Sequence, residues 1–332
     1  MSTGRQKSTK NSVPAFVKAQ FVFFYRTTLC SSIKMSFTHL TNLAGKKFGK
    51  IILEKQIGKG NFGVIYEGHF NSEMVACKIS DNHAYIKKES DILKELSGSD
   101  GVCGWVAMEI HSTISIIAMQ CGYGDLDHLR FKNESKSFTN GTIQKISRQI
   151  VEGLSHIHGK GFTHRDIKLN NMMVSQPVGP SRKVNAFLID FGISCRVVDK
   201  NGNRMPRDTR FNFSKLDHAT PYTALGDAPD FIDDLIQMTY SMIRATNDPM
   251  TEFKQSQYSR MKHKSDLLHR PSTVLSVSLS WMTPLFEAIG SQKPLSAIDY
   301  QLIREGVDAM VPEYDARTDL HLQTVGKEFK LI

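Results

Sequence analysis

Apolar and polar residues alternate from residue 50 onward in IILEKQIG, VIYEGHF and MVACKIS. Alternation of this kind is what half-buried strands joined by tight turns require. The turn between the second and third runs is predicted at Asn71-Ser72. AYIKKESDILKEL then changes period, placing Ile86, Ile92, Leu93 and Leu96 on one face of a helix. An apolar run ending at Met119 reads as a further strand. Beyond Gly122 the helical period dominates: Ile143, Ile146, Ile150, Leu154 and Ile157 form one stripe, and DDLIQMTYSMI is a strongly apolar helix. MMV and AFLID are short strands around a loop, and weaker helical patterns run to about residue 312. The pattern predicts an α+β fold of two lobes with a cleft between them. Its parts are a small β-rich N-lobe with one main helix (48–119), a connecting segment (119–122), a larger mostly helical C-lobe (123–315) and a C-terminal tail (316–332).

Charge separates the start of the chain from the rest. Residues 1–50 hold nine Lys and Arg and no Asp or Glu, leaving 33 basic against 33 acidic residues beyond them. The basic balance therefore belongs to the N-terminal extension, residues 1–47, which reads as a disordered basic tail. A transit-like presequence is the alternative, and Met35 is a second candidate start. The neutral body gives no reason to expect nucleic acid as a partner. No run approaches the roughly 18 apolar residues of a spanning helix. Five cysteines without a CxxC pair suit free thiols in a reducing compartment. The expectation is an intracellular monomer, cytoplasmic and/or nuclear, with organelle targeting by the basic start as the weaker reading.

The chemistry sits in four clusters. GKGNFGVIY brings Gly58, Gly60 and Gly63 between two strands rather than between a strand and a helix. That context argues against a dinucleotide fingerprint and for a flap whose bare backbone can approach phosphate oxygens. The flap comprises Ile57, Gly58, Lys59, Gly60, Asn61, Phe62, Gly63, Val64 and Ile65. VACK ends in Lys78 on the strand beneath it. A lysine there needs a carboxylate to hold it, and Glu89 on the following helix is the preferred partner, with Glu95 as the alternative.

THRDIKLNN then packs a base, acceptors and cations between apparently buried segments. Asp166 is placed to accept or orient the proton of an incoming hydroxyl, and Lys168 to neutralise a transferred phosphoryl group. Asn171 offers a neutral oxygen to a divalent metal, and Asp190 in LIDFG a carboxylate for the same ion. Phe191 reads as an apolar plug and Gly192 as the residue that lets the chain turn. Each piece alone is weak; the ordered set is specific.

Together these residues resemble the eukaryotic protein kinases over roughly residues 50–312, and Lys168 resembles the serine/threonine class. IHGKGFTHRDIK and TALGDAPDFIDDLIQMTYSMI are similar to the casein kinase I group, with its tau-tubulin and vaccinia-related branches. T-x-L-G (Thr223, Leu225, Gly226) stands where other kinases carry A-P-E, and Asp234 resembles the residue that braces the catalytic loop. The resemblance implies ATP and Mg2+ as cosubstrate and metal, and Ser/Thr hydroxyls of protein substrates as acceptors, with acidic or phospho-primed ones preferred. It implies that Ala76, Ile65 and Met173 sandwich the adenine, that Met119 to Gly122, including Cys121, offers backbone to its edge, and that Ala118 precedes this segment and opens a back pocket. Asn170 and Leu169 depart from the family's acidic residue and proline. Arg207 and Arg210 are a candidate substrate anion site. The alternative is an ATP-binding pseudokinase or scaffold of the same fold.

Overall fold

The computed structural model describes residues 23–24, 37–60, 62–206, 208, 212–249, 257–325 and 328–332. Strands β1 (Phe23–Phe24), β2 (Lys47–Phe48), β3 (Ile51–Gly60), β4 (Gly63–Phe70) and β5 (Glu73–Ser80) lead into helix α1 (His83–Leu96), followed by β6 (Trp105–Ile110) and β7 (Ser115–Gln120). They form one sheet in the order β1-β3-β4-β5-β7-β6, with β2 also on β3. The β4–β5 turn falls at Asn71 and Ser72, whose φ values of 49° and 72° are both left-handed. Two such residues make the turn whose twist matches a β-hairpin, and Phe70 pairs Glu73 across it.

The N-lobe begins earlier than the composition suggested. Phe37, Leu40 and Leu43 are buried in the core behind the sheet, with Ile51, Val64, Tyr66, Cys77 and Ile116. The Tyr66 hydroxyl donates to Leu40 O at 2.7 Å and accepts from Leu43 N at 3.2 Å. Residues 37–47 thus belong to the folded lobe rather than to a disordered tail. The spacing of Phe37, Leu40 and Leu43 is helical, and only the fold supplies the sheet face that covers it.

The C-lobe contains β8 (Gly124–Asp125), α2 (Leu126–Phe131) and α3 (Asn140–Gly159), then the short strands β9 (Phe162–Thr163), β10 (Met172–Val174), β11 (Lys183–Val184), β12 (Ala186–Leu188) and β13 (Cys195–Arg196). Helices α4 (Pro221–Ala224), α5 (Phe231–Ala245), α6 (Gln257–His269), α7 (Pro271–Val274), α8 (Thr283–Gly290) and α9 (Tyr300–Asp308) follow. Thr139 caps α3 by accepting from Thr142 N, and the stripe from Ile143 to Ile157 is fully buried. The α5 helix is apolar almost all round because it runs through the lobe's centre.

The tail predicted after residue 315 is instead a hairpin, β14 (Leu320–Val325) with β15 (Glu328–Leu331), and β14 also pairs β11. Leu320, Leu322 and Leu331 are buried in the main core, so the lobe extends to the end of the described chain. No helix among the described residues is long and apolar enough to cross a membrane. Cys77, Cys103, Cys121 and Cys195 are free thiols.

Candidate active site

The cleft between the sheet and the helical lobe holds about 930 Å³, counting the space open to solvent. Ile57, Gly60, Phe62, Gly63, Ile65, Ala76, Lys78, Glu89, Met119, Cys121, Met173 and Asp190 line it. Asn61 lies outside the described residues. Gly63 is required by space as well as by its φ of 148°, since a Cβ there would stand 2.2 Å from Ile79 O.

Three flap residues do not line the cleft. Val64 pairs Ile79 and faces the core behind the sheet, whereas Ile65 pairs Lys78 and faces the cleft. Successive side chains on a strand point to opposite faces, so only one of two neighbours can contribute. Gly58 and Lys59 likewise lie outside the lining. The same alternation corrects the back pocket. Met119 pairs Ala76 and faces the cleft, while Ala118 pairs Cys77 and is buried in the core behind the sheet. Met119, a large side chain, therefore stands at the end of the cleft, and the open pocket expected from Ala118 is not formed. Gln120 and Gly122 of the predicted connecting segment line the cleft as well, and so do Glu67, Cys103, Gln176 and Ile189, which were not read from the sequence. Of these, Glu67 was accessible through the strand period, two residues beyond Ile65.

Lys78 joins the lobes. Its Nζ lies 2.7 Å from Glu89 Oε2, donates to Asp190 Oδ1 at 2.8 Å and reaches Tyr85 Oη at 3.4 Å. Burial opposes charge on this lysine, but the Asp190 and Glu89 carboxylates outweigh it and hold its pKa well above the usual value. Burial pushes the Glu89 carboxyl up, with Lys78 pulling against it. Glu89 reaches this point because α1, capped by Asn82 accepting from Tyr85 N, turns Ile86, Glu89, Ser90, Ile92 and Leu93 inward. The alternative partner, Glu95, is bonded to Arg196 on β13 instead.

The 163–171 segment is held from below by α5. Asp234 accepts from His164 N at 2.7 Å and from Arg165 N at 2.8 Å, and Gln237 Oε1 accepts from Ile167 N at 2.9 Å. His158 Nε2 donates to Asp234 at 3.0 Å, and Tyr300 Oη donates to His158 Nδ1 at 2.5 Å. So braced, the loop presents the Asp166 carboxylate. Its Oδ2 accepts from Lys168 Nζ at 2.8 Å and from Asn171 Nδ2 at 3.0 Å. Its Oδ1 stands 3.0 Å from Nε2 of His218, a residue without any motif to announce it. Burial alone would raise the Asp166 pKa, but His218 and Lys168 hold it well below the usual carboxylate range.

Asp190 enters from the end of β12. Ile189 N donates to Asn171 O at 3.0 Å, and His164 Nε2 donates to Ile189 O at 2.9 Å, so the two loops are stitched together. The turn is made at Asp190, with φ 65°, rather than at Gly192. Gly192 instead makes room for Tyr85, whose hydroxyl would lie 1.6 Å from a Cβ there. Phe191 is fully buried and packs edge-on to His164, as a plug should.

Asn171 Oδ1 is buried and accepts no hydrogen bond, and the Asn171 carbonyl is bonded to Ile189 N, next to Asp190. Two hard oxygen donors of this kind suit a divalent cation that keeps its other positions for phosphate oxygens and water. Among the described residues no cluster of three or more His, Cys, Asp or Glu could hold a metal.

Of the cations after Asp190, Arg204 pairs Asp230 at 2.5 Å and Arg196 pairs Glu95. Arg207 and Arg210 lie outside the described residues. Thr220 and Thr223 form a capping box at α4, and the Thr220 hydroxyl donates to Asp233. Burial raises the Asp233 carboxyl to about 7.

Residues 51–214 match the protein kinase domain family. The chain is 29% identical over 163 residues to a probable serine/threonine-protein kinase of Dictyostelium discoideum, an alignment covering 48% of this chain and 32% of that protein. A second probable serine/threonine-protein kinase of that organism is 28% identical over 189 residues, covering 55% of this chain and 12% of that protein. The chain thus spans about a third or less of the length of these relatives. Among solved structures, vaccinia related kinase 3 superposes with a TM-score of 0.65 at 13% identity, over 83% of this chain and 95% of that one. The chain has the protein kinase fold.

Proposed function

We propose that this chain is a catalytically active protein kinase, which transfers the γ-phosphoryl group of ATP to Ser or Thr hydroxyls of protein substrates. The observation that carries the reading is the joining of Lys78, Glu89 and Asp190 into one buried network on the cleft wall. The catalytic loop bearing Asp166 is bonded to the backbone of Ile189, the residue before Asp190. Scaffolds that bind nucleotide without turnover have no need for all of Lys78, Asp166, Asn171 and Asp190 together.

In this reading Ala76 and Ile65 cover the adenine from above and Met173 supports it from below. Lys78 holds the phosphates, its charge secured by Glu89. Asn171 and Asp190 would hold Mg2+, which neutralises phosphate charge when bound. The acceptor hydroxyl gives its proton to Asp166 as its oxygen bonds to the γ-phosphorus and the bond to the ADP oxygen breaks. Lys168, already on Asp166 Oδ2, neutralises the group in flight. Positioning and charge neutralisation supply most of the rate, since such transfers need little covalent help from protein.

The finer assignment is to casein kinase I-like enzymes, supported by Thr223, Leu225 and Gly226 ahead of the Asp234 brace. Acidic or phospho-primed substrates follow from that assignment. The test is incubation with labelled ATP, magnesium and either casein or a small alcohol. Label on casein, abolished by Asp166→Asn with nucleotide binding retained, is expected. Nucleotide binding without any transfer would leave a scaffold.

A further inference from the structure

His218 lies outside every motif, yet its imidazole faces the reacting carboxylate. Asp166 Oδ2 already has two donors, Lys168 and Asn171. Only Oδ1 has free capacity for an incoming hydroxyl. His218 Nε2 is 3.0 Å from Oδ1, but the two atoms do not complete an aligned hydrogen bond with each other. Both are buried polar atoms, and each is left without a hydrogen-bond partner. Such atoms are costly to bury unless a third group bonds to both from beside them.

The mount of His218 is rigid. Lys264 Nζ donates to the carbonyls on either side of it, Asp217 O at 2.7 Å and Ala219 O at 2.8 Å. Leu216 and Ala219 are buried against Ile193 and Phe213. Thr220, two residues on, is fixed to Asp233 on α5. An imidazole carried on a surface loop has no need of a buried lysine beneath its backbone. This one is held in place relative to Asp166.

We propose that His218 is the second hydrogen-bonding group for the acceptor hydroxyl. The hydroxyl enters beside the Asp166–His218 pair, donates its proton to Asp166 Oδ1 and accepts from His218 Nε2–H. Its remaining lone pair is then directed at the γ-phosphorus. As the oxygen–phosphorus bond forms and the bond to ADP breaks, the proton passes to Asp166 and His218 keeps its own. The imidazole also limits entry of water to the same oxygen. This inference rests on the transfer activity proposed above.

The experiment compares wild type, His218→Ala and His218→Gln, whose amide nitrogen reaches about as far as Nε2. Phosphate transfer to casein and to water is followed at varied ATP and varied casein. His218→Ala should lose about tenfold in kcat for casein, one good hydrogen bond in the transition state, with KM for ATP unchanged and a larger share of phosphate going to water. His218→Gln should recover most of the loss, which a merely structural defect would not allow. Casein transfer by His218→Ala at or above the wild-type rate overturns the inference alone. So does failure of Gln to improve on Ala. Absence of transfer by the wild type overturns the proposed activity and this inference with it.

Discussion

Arg165 and Asp208 form a buried ion pair, Nη1 to Oδ2 at 3.1 Å, with side chains 1% and 8% exposed. Arg165 adjoins Asp166, and Asp208 belongs to the segment that follows Asp190. The pair ties the order of that segment to the loop that presents the carboxylate. Removing one partner leaves a buried charge without its counter-ion, a loss of about 3–5 kcal/mol in comparable cases. Asp208→Ala is therefore expected to lower both the melting temperature and the phosphate-transfer rate, and to expose residues 196–206 and 212–217 to protease. Calorimetry with timed proteolysis checks this; an unchanged digestion pattern would contradict it.

The Lys78–Glu89 contact is a second lever. Glu89→Gln keeps the shape and removes the charge that steadies Lys78. Asp190 still holds the amine at 2.8 Å, so the fold should survive while the lysine is drawn towards the metal-binding side. Transfer should fall at least about tenfold in kcat/KM for ATP, by the loss of a charge-assisted interaction. Steady-state kinetics at varied ATP, beside a melting curve, separates this from unfolding.

Met119 and Ala118 should respond oppositely to substitution. Ala118→Leu overfills the core behind the sheet and should cost about 1–3 kcal/mol of stability, with little change in KM for ATP among the molecules that stay folded. Met119→Ala should enlarge the cleft and admit a purine carrying extra bulk. Binding of such an analogue by Met119→Ala and not by wild type is the expected result, measured by competition with ATP. The reverse pattern would mean that the faces are exchanged.

Tyr66→Phe tests the inclusion of residues 37–47 in the lobe. The change removes the hydroxyl that serves both Leu40 O and Leu43 N. Those buried backbone groups would lose their partner, at a cost of about 1–3 kcal/mol. A melting temperature within error of the wild type would show that the segment contributes nothing.

Stability should also depend on pH through Asp233. Burial raises its carboxyl to about 7, and burial likewise raises that of Asp125 to about 6. Folded protein therefore retains protons that the unfolded chain releases above about pH 4. The stability linked to these groups is fully present below that pH and is lost as pH rises through about 6 and then 7. Asp233→Asn cannot ionise. The difference in melting temperature, variant minus wild type, should become more positive between about pH 5 and about pH 8. A difference that stays flat across that range would remove Asp233 as the cause.

Much of this molecule is local, and to that extent legible in the chain. Asp166, Lys168 and Asn171 fall within six residues, so a single loop brings them together. The helical period of α1 placed Glu89 on the inward face, and left-handed turn residues marked the β4–β5 hairpin. What a one-residue shift reverses was not legible. Val64 and Ile65, or Ala118 and Met119, differ only in the sheet face they occupy, and pairing with β5 decides that. Residues 37–43 looked like part of a basic tail because the surface that covers them, around Tyr66, comes later in the chain. His218 reaches Asp166 only because Lys264, Thr220 and Asp233, from separate elements, fix its backbone. Spacing along a chain specifies which groups share a turn; which face they occupy and what meets them from afar is decided by packing.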